Sequence, residues 1–262
     1  MKFFVLTKRR LTMLGVFLIG CAAAGVLTGV CVKLDRTETP VAQAASTQRQ
    51  VPIYCVDTQE KKIAISFDAA WGNEQTDDLI DILDDYNVKT TFFVVGDWAE
   101  KYPESVKALS DAGHEVCNHS NTHPHMPQLT RAQQTEELQC CNEKIAAITG
   151  QTPKLFRPPY GDYSNDVLES AKSCGMYTIQ WDVDSLDWKN PTVEQMVERV
   201  TSKVQNGSIV LFHNGAENTP QALPLILQQL QSDGYTIVPV SELIYKDGYH
   251  IDATGKQIPE TE

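Results

Sequence analysis

The stretch Asn118-His119-Ser120-Asn121-Thr122-His123-Pro124-His125 gathers three of the chain's six histidines within seven residues. His119 and His123 are four apart. On a helical turn they would share one face and offer two imidazole nitrogens to one ion, zinc or a similar divalent metal. A polar loop whose histidines face solvent is the alternative. Elsewhere Asp68, Asp184, Arg157 and His213 are polar residues at the ends of apolar runs, and a histidine such as His213 can act as acid or base near neutral pH. Such parts on neighbouring loops could serve acid–base or metal-assisted chemistry. Each part also has a bland reading. Asp68 with Arg157 can be a structural salt bridge, and a lone histidine such as His213 is more often structural.

These residues are far apart in sequence, so the fold must bring them together. Seven runs read as buried strands: 62–67, 90–95, 115–118, 154–157, 177–182, 208–212 and 235–238. Helical patterns fall between them. One covers Thr76–Tyr86, the next ends at Gly113, and a long one opens on the capping box Thr130-Arg131-Ala132-Gln133 and closes at Gly150. Others cover Ser164–Cys174, the stretch from Thr192-Val193-Glu194-Gln195 to about Asn206-Gly207, and Ala222–Ser232. Ile53 to Val56 reads as the start of an edge hairpin turning near Asp57, and the tail from Tyr249 as a second small hairpin. Seven strands alternating with helices demand a parallel sheet, and the count fits an α/β barrel better than an open sheet. In such barrels the loops after the C-terminal strand ends carry the chemistry. Asp68, His119, Arg157, Asp184 and His213 all fall there.

The N-terminus differs from the rest. Lys2, Lys8, Arg9 and Arg10 precede Leu11 to Val32, an uncharged apolar run of 22 residues, which predicts one transmembrane helix with the basic end in the cytoplasm. Residues 1–32 read as a signal-anchor, 33–50 as a polar linker and 51–262 as an extracytoplasmic domain. Ala42-Gln43-Ala44 offers a cleavage site, and Leu18-Ile19-Gly20-Cys21 a lipoprotein box, as competing fates. All three export the domain. Residues 51–262 carry a net charge of −17, which argues against nucleic acid and favours a neutral or cationic partner. The five cysteines of this part are odd in number and lack zinc-site spacing, so they read mostly as small buried residues.

Five stretches, in order, resemble the motifs of the polysaccharide deacetylase family (NodB homology, carbohydrate esterase family 4). They are Ser66-Phe67-Asp68, His119-Ser120-Asn121-Thr122-His123, Arg157-Pro158-Pro159-Tyr160, Asp184-Ser185-Leu186-Asp187-Trp188 and Leu211-Phe212-His213. The continuation Ala69-Ala70-Trp71-Gly72 and the membrane-anchored layout resemble the sporulation-associated, PdaB-like branch, which would place the protein at the forespore membrane. The resemblance implies a distorted (β/α)7 barrel and metal-dependent removal of N-acetyl groups from amino sugars of cell-wall or spore-wall glycan. It implies His119 and His123 as metal ligands, zinc being best suited, and Asp68 as the base held by Arg157. His213 would be the acid, kept protonated by Asp187. The Tyr160 backbone N–H would hold the oxyanion, Leu211 would face the acetyl methyl, and Trp71 and Trp188 would stack on sugar.

One departure matters. The family's first motif has a second aspartate, the third metal ligand, where this chain has Ala69. Alanine coordinates nothing, so a weakened site and weak activity are expected, with Glu74, Asn118 and His125 as candidate substitutes. Two other readings compete. One is a non-catalytic glycan-binding or structural wall protein on the same fold, and the other an esterase acting on O-acetyl groups.

Overall fold

The structure is a computed structural model that describes residues 49–260. The apolar run, the cleavage and lipoprotein signals and most of the linker lie outside the described residues. Among those described, no helix is long and apolar enough to cross a membrane.

In chain order the elements are β1 (Cys55–Val56), β2 (Lys62–Ala69), α1 (Thr76–Asp85), β3 (Thr91–Val94), α2 (Gly96–Lys101), α3 (Pro103–Asp111), β4 (Glu115–Asn118), α4 (Arg131–Thr149), β5 (Leu155–Phe156) and α5 (Asn165–Ser173). There follow β6 (Tyr177–Thr178), β7 (Val183–Asp184), α6 (Val193–Thr201), β8 (Ile209–His213), α7 (Thr219–Ser232), β9 (Thr236–Ile237), α8 (Val240–Leu243), β10 (Tyr249–Ile251) and β11 (Lys256–Pro259). Strand β2 explains the layering. Ile63, Ile65, Phe67 and Ala69 point to one side, into a core shared with helix residues such as Leu79, Ile226 and Leu230. Ala64 points to the other, into an inner core with Ile53, Phe93, Cys117, Ile179 and Ile209. A strand buried on both faces belongs to a parallel sheet covered by helices.

The sheet runs β6-β5-β4-β3-β2-β8-β7, every pair parallel, with β9 also paired to β2. This is a NodB-like half-barrel: the distorted barrel expected from the sequence is a parallel sheet with helices whose edge strands, β6 and β7, do not pair with each other. The fifth expected strand is divided. Tyr177–Thr178 pairs with β5 and Val183–Asp184 with β8, while the chain between them bends from one sheet edge to the other. Ile53–Val56 lies in the resulting seam: Ile53 bridges Ile179 and Cys55 bridges Ser208. It is therefore no edge hairpin. Cys55 and Val56 pair in parallel with Lys256 and Gln257 of β11, and the expected tail hairpin, β10 with β11, completes a small second sheet.

The helix expected to end at Gly113 is two, broken where Pro103 opens α3. Both capping boxes form, at Thr130 with Gln133 and at Thr192 with Gln195, and Gly150 takes the left-handed conformation (φ 73°) that ends α4. Helix α6 stops at Thr201, before Asn206-Gly207.

Candidate active site

Sheet register brings the candidate residues to one height. Asp68 pairs with Phe93 on one side and His213 on the other, Val94 with Asn118, and Asn118 with Phe156. His119 and Arg157 thus leave β4 and β5 side by side. Arg157 is wholly buried. Its Nη1 donates to Asp68 Oδ1 at 2.7 Å, its Nη2 to Ser66 Oγ at 2.9 Å and to the Gln180 carbonyl at 3.1 Å. The guanidinium also lies 4.1 Å from the centre of the Phe93 ring. Burial by itself would raise the Asp68 carboxyl, but Arg157, with His119 and His213, outweighs it and holds Asp68 below its usual value. Asp68 is a carboxylate at neutral pH.

His213 sits beside it. Its Nδ1 is 2.7 Å from Oδ1 of Asp187, a wholly buried carboxylate that also accepts from the backbone N–H groups of His213 and Trp188 and from Thr219 Oγ1. Burial opposes a charged imidazole, yet the hydrogen bond and charge of Asp187 prevail and raise His213 above its ordinary value.

The histidine loop is not a helical turn. Ser120 and His123 have φ of 66° and 60°, and the loop folds back so that the His119 and His123 rings meet edge-on, 5.0 Å apart. His119 Nδ1 lies 2.7 Å from the Arg157 carbonyl, which fixes the proton there and turns Nε2 into the cleft. Burial keeps both imidazoles neutral: His119 is lowered, and His123 falls to about 4. His119 Nε2 and Asp68 Oδ2 then face each other at 3.5 Å as two acceptors. Two acceptors this close repel, and a proton or a nearby cation would offset that repulsion.

A divalent ion suits that need. A metal-binding histidine holds its other ring nitrogen on a carbonyl or carboxylate, as His119 does. The donors nevertheless remain two neutral nitrogens. Ala69 is fully buried in the apolar core, and none of the three candidate substitutes supplies a third donor. Glu74 accepts from the Asn73 N–H, Asn118 braces the loop, and His125 stacks on Tyr160 at 4.3 Å with Nδ1 3.3 Å from Asp162. Among the described residues, no group of three or more His, Cys, Asp or Glu is gathered to hold a metal. The fit is therefore that of a weak, two-histidine site.

Asp68, Trp71, His119, His123, Tyr160, Trp181, Asp184, Trp188, Leu211 and His213 line one cleft of about 460 Å³. Arg157 and Asp187 lie buried behind it. Trp71, Tyr160 and Trp188 are 61, 59 and 58% exposed, three of the four large hydrophobic residues in the described chain that stay exposed. Exposed aromatic rings around a cleft suit the apolar faces of sugar rings. Tyr160 holds φ of 60° directly after two prolines, and its ring packs against those of His123 and His125. Trp181 is a cleft residue that the motif pattern misses. Its signal is an aromatic within the run 177–184 just where that run bends, beside Arg157 at 5.5 Å.

Comparison with known proteins agrees with this geometry. Residues 56–179 match the polysaccharide deacetylase family. Peptidoglycan-N-acetylmuramic acid deacetylase PdaA of Bacillus subtilis (strain 168) is 32% identical over 197 residues, covering 74% of this chain and 75% of PdaA. The chain belongs to the polysaccharide deacetylase family. YlxY, an uncharacterized protein of the same organism, is 35% identical over 193 residues, but this chain spans only 60% of its length. The solved structure of PdaA, a family 4 carbohydrate esterase, superposes with a TM-score of 0.70 at 31% identity, over 74% of this deacetylase-family chain and 84% of the other. A mutant of BA3943 of Bacillus anthracis, a CE4 family pseudoenzyme with restored enzymatic activity, gives 0.72 at 37% identity, over 74% and 71%.

Proposed function

We propose that this chain removes N-acetyl groups from amino sugars of cell-wall or spore-wall glycan, peptidoglycan or chitin-like, at a low rate. The observation that carries the reading is the pairing of an ionised Asp68, fixed by Arg157 at 2.7 Å, with a His213 whose affinity for a proton is raised by Asp187 at 2.7 Å, both opening into one aromatic-rimmed cleft. Asp68 takes the proton of the attacking water, and Arg157 fixes the carboxylate's angle. His213 gives its proton to the departing amine. The Tyr160 backbone N–H supports the oxyanion, Leu211 lies against the acetyl methyl, and Trp71 and Trp188 stack on the sugar. A divalent ion, zinc being best suited, would be held by His119 and His123 and would polarise the carbonyl and acidify the water. The test is acetate release from peptidoglycan and from chitooligosaccharides, in chelator and with added zinc. Asp68→Asn and His213→Ala should each lower the rate by about 10²–10⁴. No acetate from any of these glycans with zinc present overturns the reading.

Ala69 favours a second reading, a non-catalytic glycan-binding wall protein that kept the cleft. The likeness to BA3943, a pseudoenzyme, supports it. Its signature is glycan binding that depends on Trp71 and Trp188 without acetate release. For placement, we propose that the apolar run 11–32 anchors the domain outside the cytoplasmic membrane, or at the forespore membrane. Protease added to protoplasts should then digest the domain, unless a forespore encloses it.

A further inference from the structure

The loop between the two histidines makes no regular secondary structure, so each of its backbone groups must find a partner individually. The His119 N–H donates to the Val94 carbonyl at 3.0 Å, Ser120 N–H to Asn118 Oδ1 at 2.8 Å and His123 N–H to Ser120 Oγ at 3.0 Å. The two amides at the tip go to one side chain. Asn121 N–H and Thr122 N–H donate to Glu137 Oε2 at 2.9 and 2.8 Å, and Thr122 Oγ1 to Glu137 Oε1 at 2.8 Å. Glu137 stands on α4, behind the loop and outside the cleft.

The opposite edge is held as firmly. The first amides of α2, Gly96 and Asp97, donate to the Ser120 and Asn121 carbonyls at 2.9 Å each. A Cβ at Gly96 would come within 3.1 Å of the Asn121 Cα, so the approach requires glycine. Lys144 on α4 bonds Asp97 and Glu100 on α2, at 3.0 and 2.7 Å, and ties the two clamps together. Between them sit Ser120 and His123, in a conformation unfavourable for residues with a side chain.

We infer that Glu137 is a positioning residue: its carboxylate holds the loop tip in the strained form that brings the His123 ring against His119 in the cleft. Three donors converge on two oxygens that can only accept, and hydrogen bonds to a carboxylate are about twice as strong as neutral ones. An amide in its place keeps one oxygen and turns an N–H2 toward donors, so the tip loses part of its hold.

The experiment compares Glu137→Gln with the native full chain and with Ile145→Val, a core change on the same helix that touches neither loop nor cleft. Three quantities are read besides melting temperature: the NMR contact between the His119 and His123 rings, the calorimetric affinity for zinc, and kcat and KM on chitooligosaccharide. In Glu137→Gln the ring contact should be lost, zinc binding should weaken by about 10–100-fold, and kcat should fall with KM little changed. Ile145→Val should lower only the melting temperature. If Glu137→Gln keeps the ring contact and zinc affinity while melting earlier, Glu137 is merely structural and the inference fails. Only the kinetic arm rests on the deacetylase reading. A native chain that releases no acetate sinks that reading, and one that binds no zinc leaves the ring contact to decide for or against Glu137.

Discussion

Asp187 accepts four hydrogen bonds on two buried oxygens, two of them from His213 and one from the Trp188 N–H, so a change there acts chiefly on His213. His213 is raised by Asp187 and acts in its protonated form, so the alkaline side of the activity profile should be lost as pH rises through its pKa. Asp187→Asn removes the charge that raises it. The alkaline limb of kcat/KM should move to lower pH, and kcat should fall by about 10²–10⁴. An unmoved limb would show that His213 is not the acid. Position 69 calls for a different expectation. Its neighbours on the same strand face, Ile63, Ile65 and Phe67, place it in the apolar core, so Ala69→Asp should cost about 1–3 kcal/mol in chelator from an unsatisfied buried group. Zinc should restore the melting temperature and bind at least about 10–100-fold more tightly than to the native chain, with acetate release rising in step. If zinc restores nothing, position 69 serves the core alone. The sequence showed the missing carboxylate plainly. It could not show that all three substitutes were engaged elsewhere, since the partners of Asn118, Leu138 and Asn142, lie about twenty residues away.

At the scale of elements, helix α4 was the most legible. Thr130 and Gln133 form their capping box, and Gly150 ends the helix at φ 73°, because both devices act over a few residues. Thr130→Ala should cost about 1 kcal/mol and lower the melting temperature by about 2–4 °C, as calorimetry would show. A larger loss, accompanied by a weakened zinc site, would mean that the helix start also governs Glu137. The histidine loop was legible only in part. A four-residue spacing fits a helical face, but positive φ at Ser120 and His123 reaches the same convergence through a loop. Its stabilising contacts come from α2 and α4, which local rules do not connect. The break before α3 did carry a signal, Pro103, which is incompatible with a continuous helix at that point.

Acid stability belongs to the whole molecule. His114 is 5% exposed, its Nδ1 accepts from the Thr90 N–H at 3.2 Å, and its Nε2 is buried without a partner. Burial lowers its pKa from 6.5 to about 4. The unfolded chain therefore binds this proton more readily than the folded one. The stability is fully present above about pH 6.5 and is lost as pH falls toward 4, by up to roughly 3 kcal/mol. His119 and His123 act in the same sense, and His213 in the opposite one. In urea titrations from pH 7 to 4, His114→Gln should start less stable and show a flatter decline. An unchanged slope would remove His114 from the account.

Six of the seven expected strands were readable because each buried run is local, while the fifth is divided. Closure was not, since whether two edges pair depends on the bend between Thr178 and Val183 and on the segment that fills the seam. That seam has a mechanical side. The peptide of Gln180 donates its N–H to the Ile53 carbonyl at 2.7 Å and receives Arg157 on its own carbonyl at 3.1 Å. Tension on the chain ahead of Ile53 would be met first at Gln50, which bonds Asn165 and Glu169, and next at Gln180, which holds the guanidinium that aims Asp68. Once the Gln50 bonds part, a pull from that end would pass through Gln180 and Arg157 to the base, Asp68.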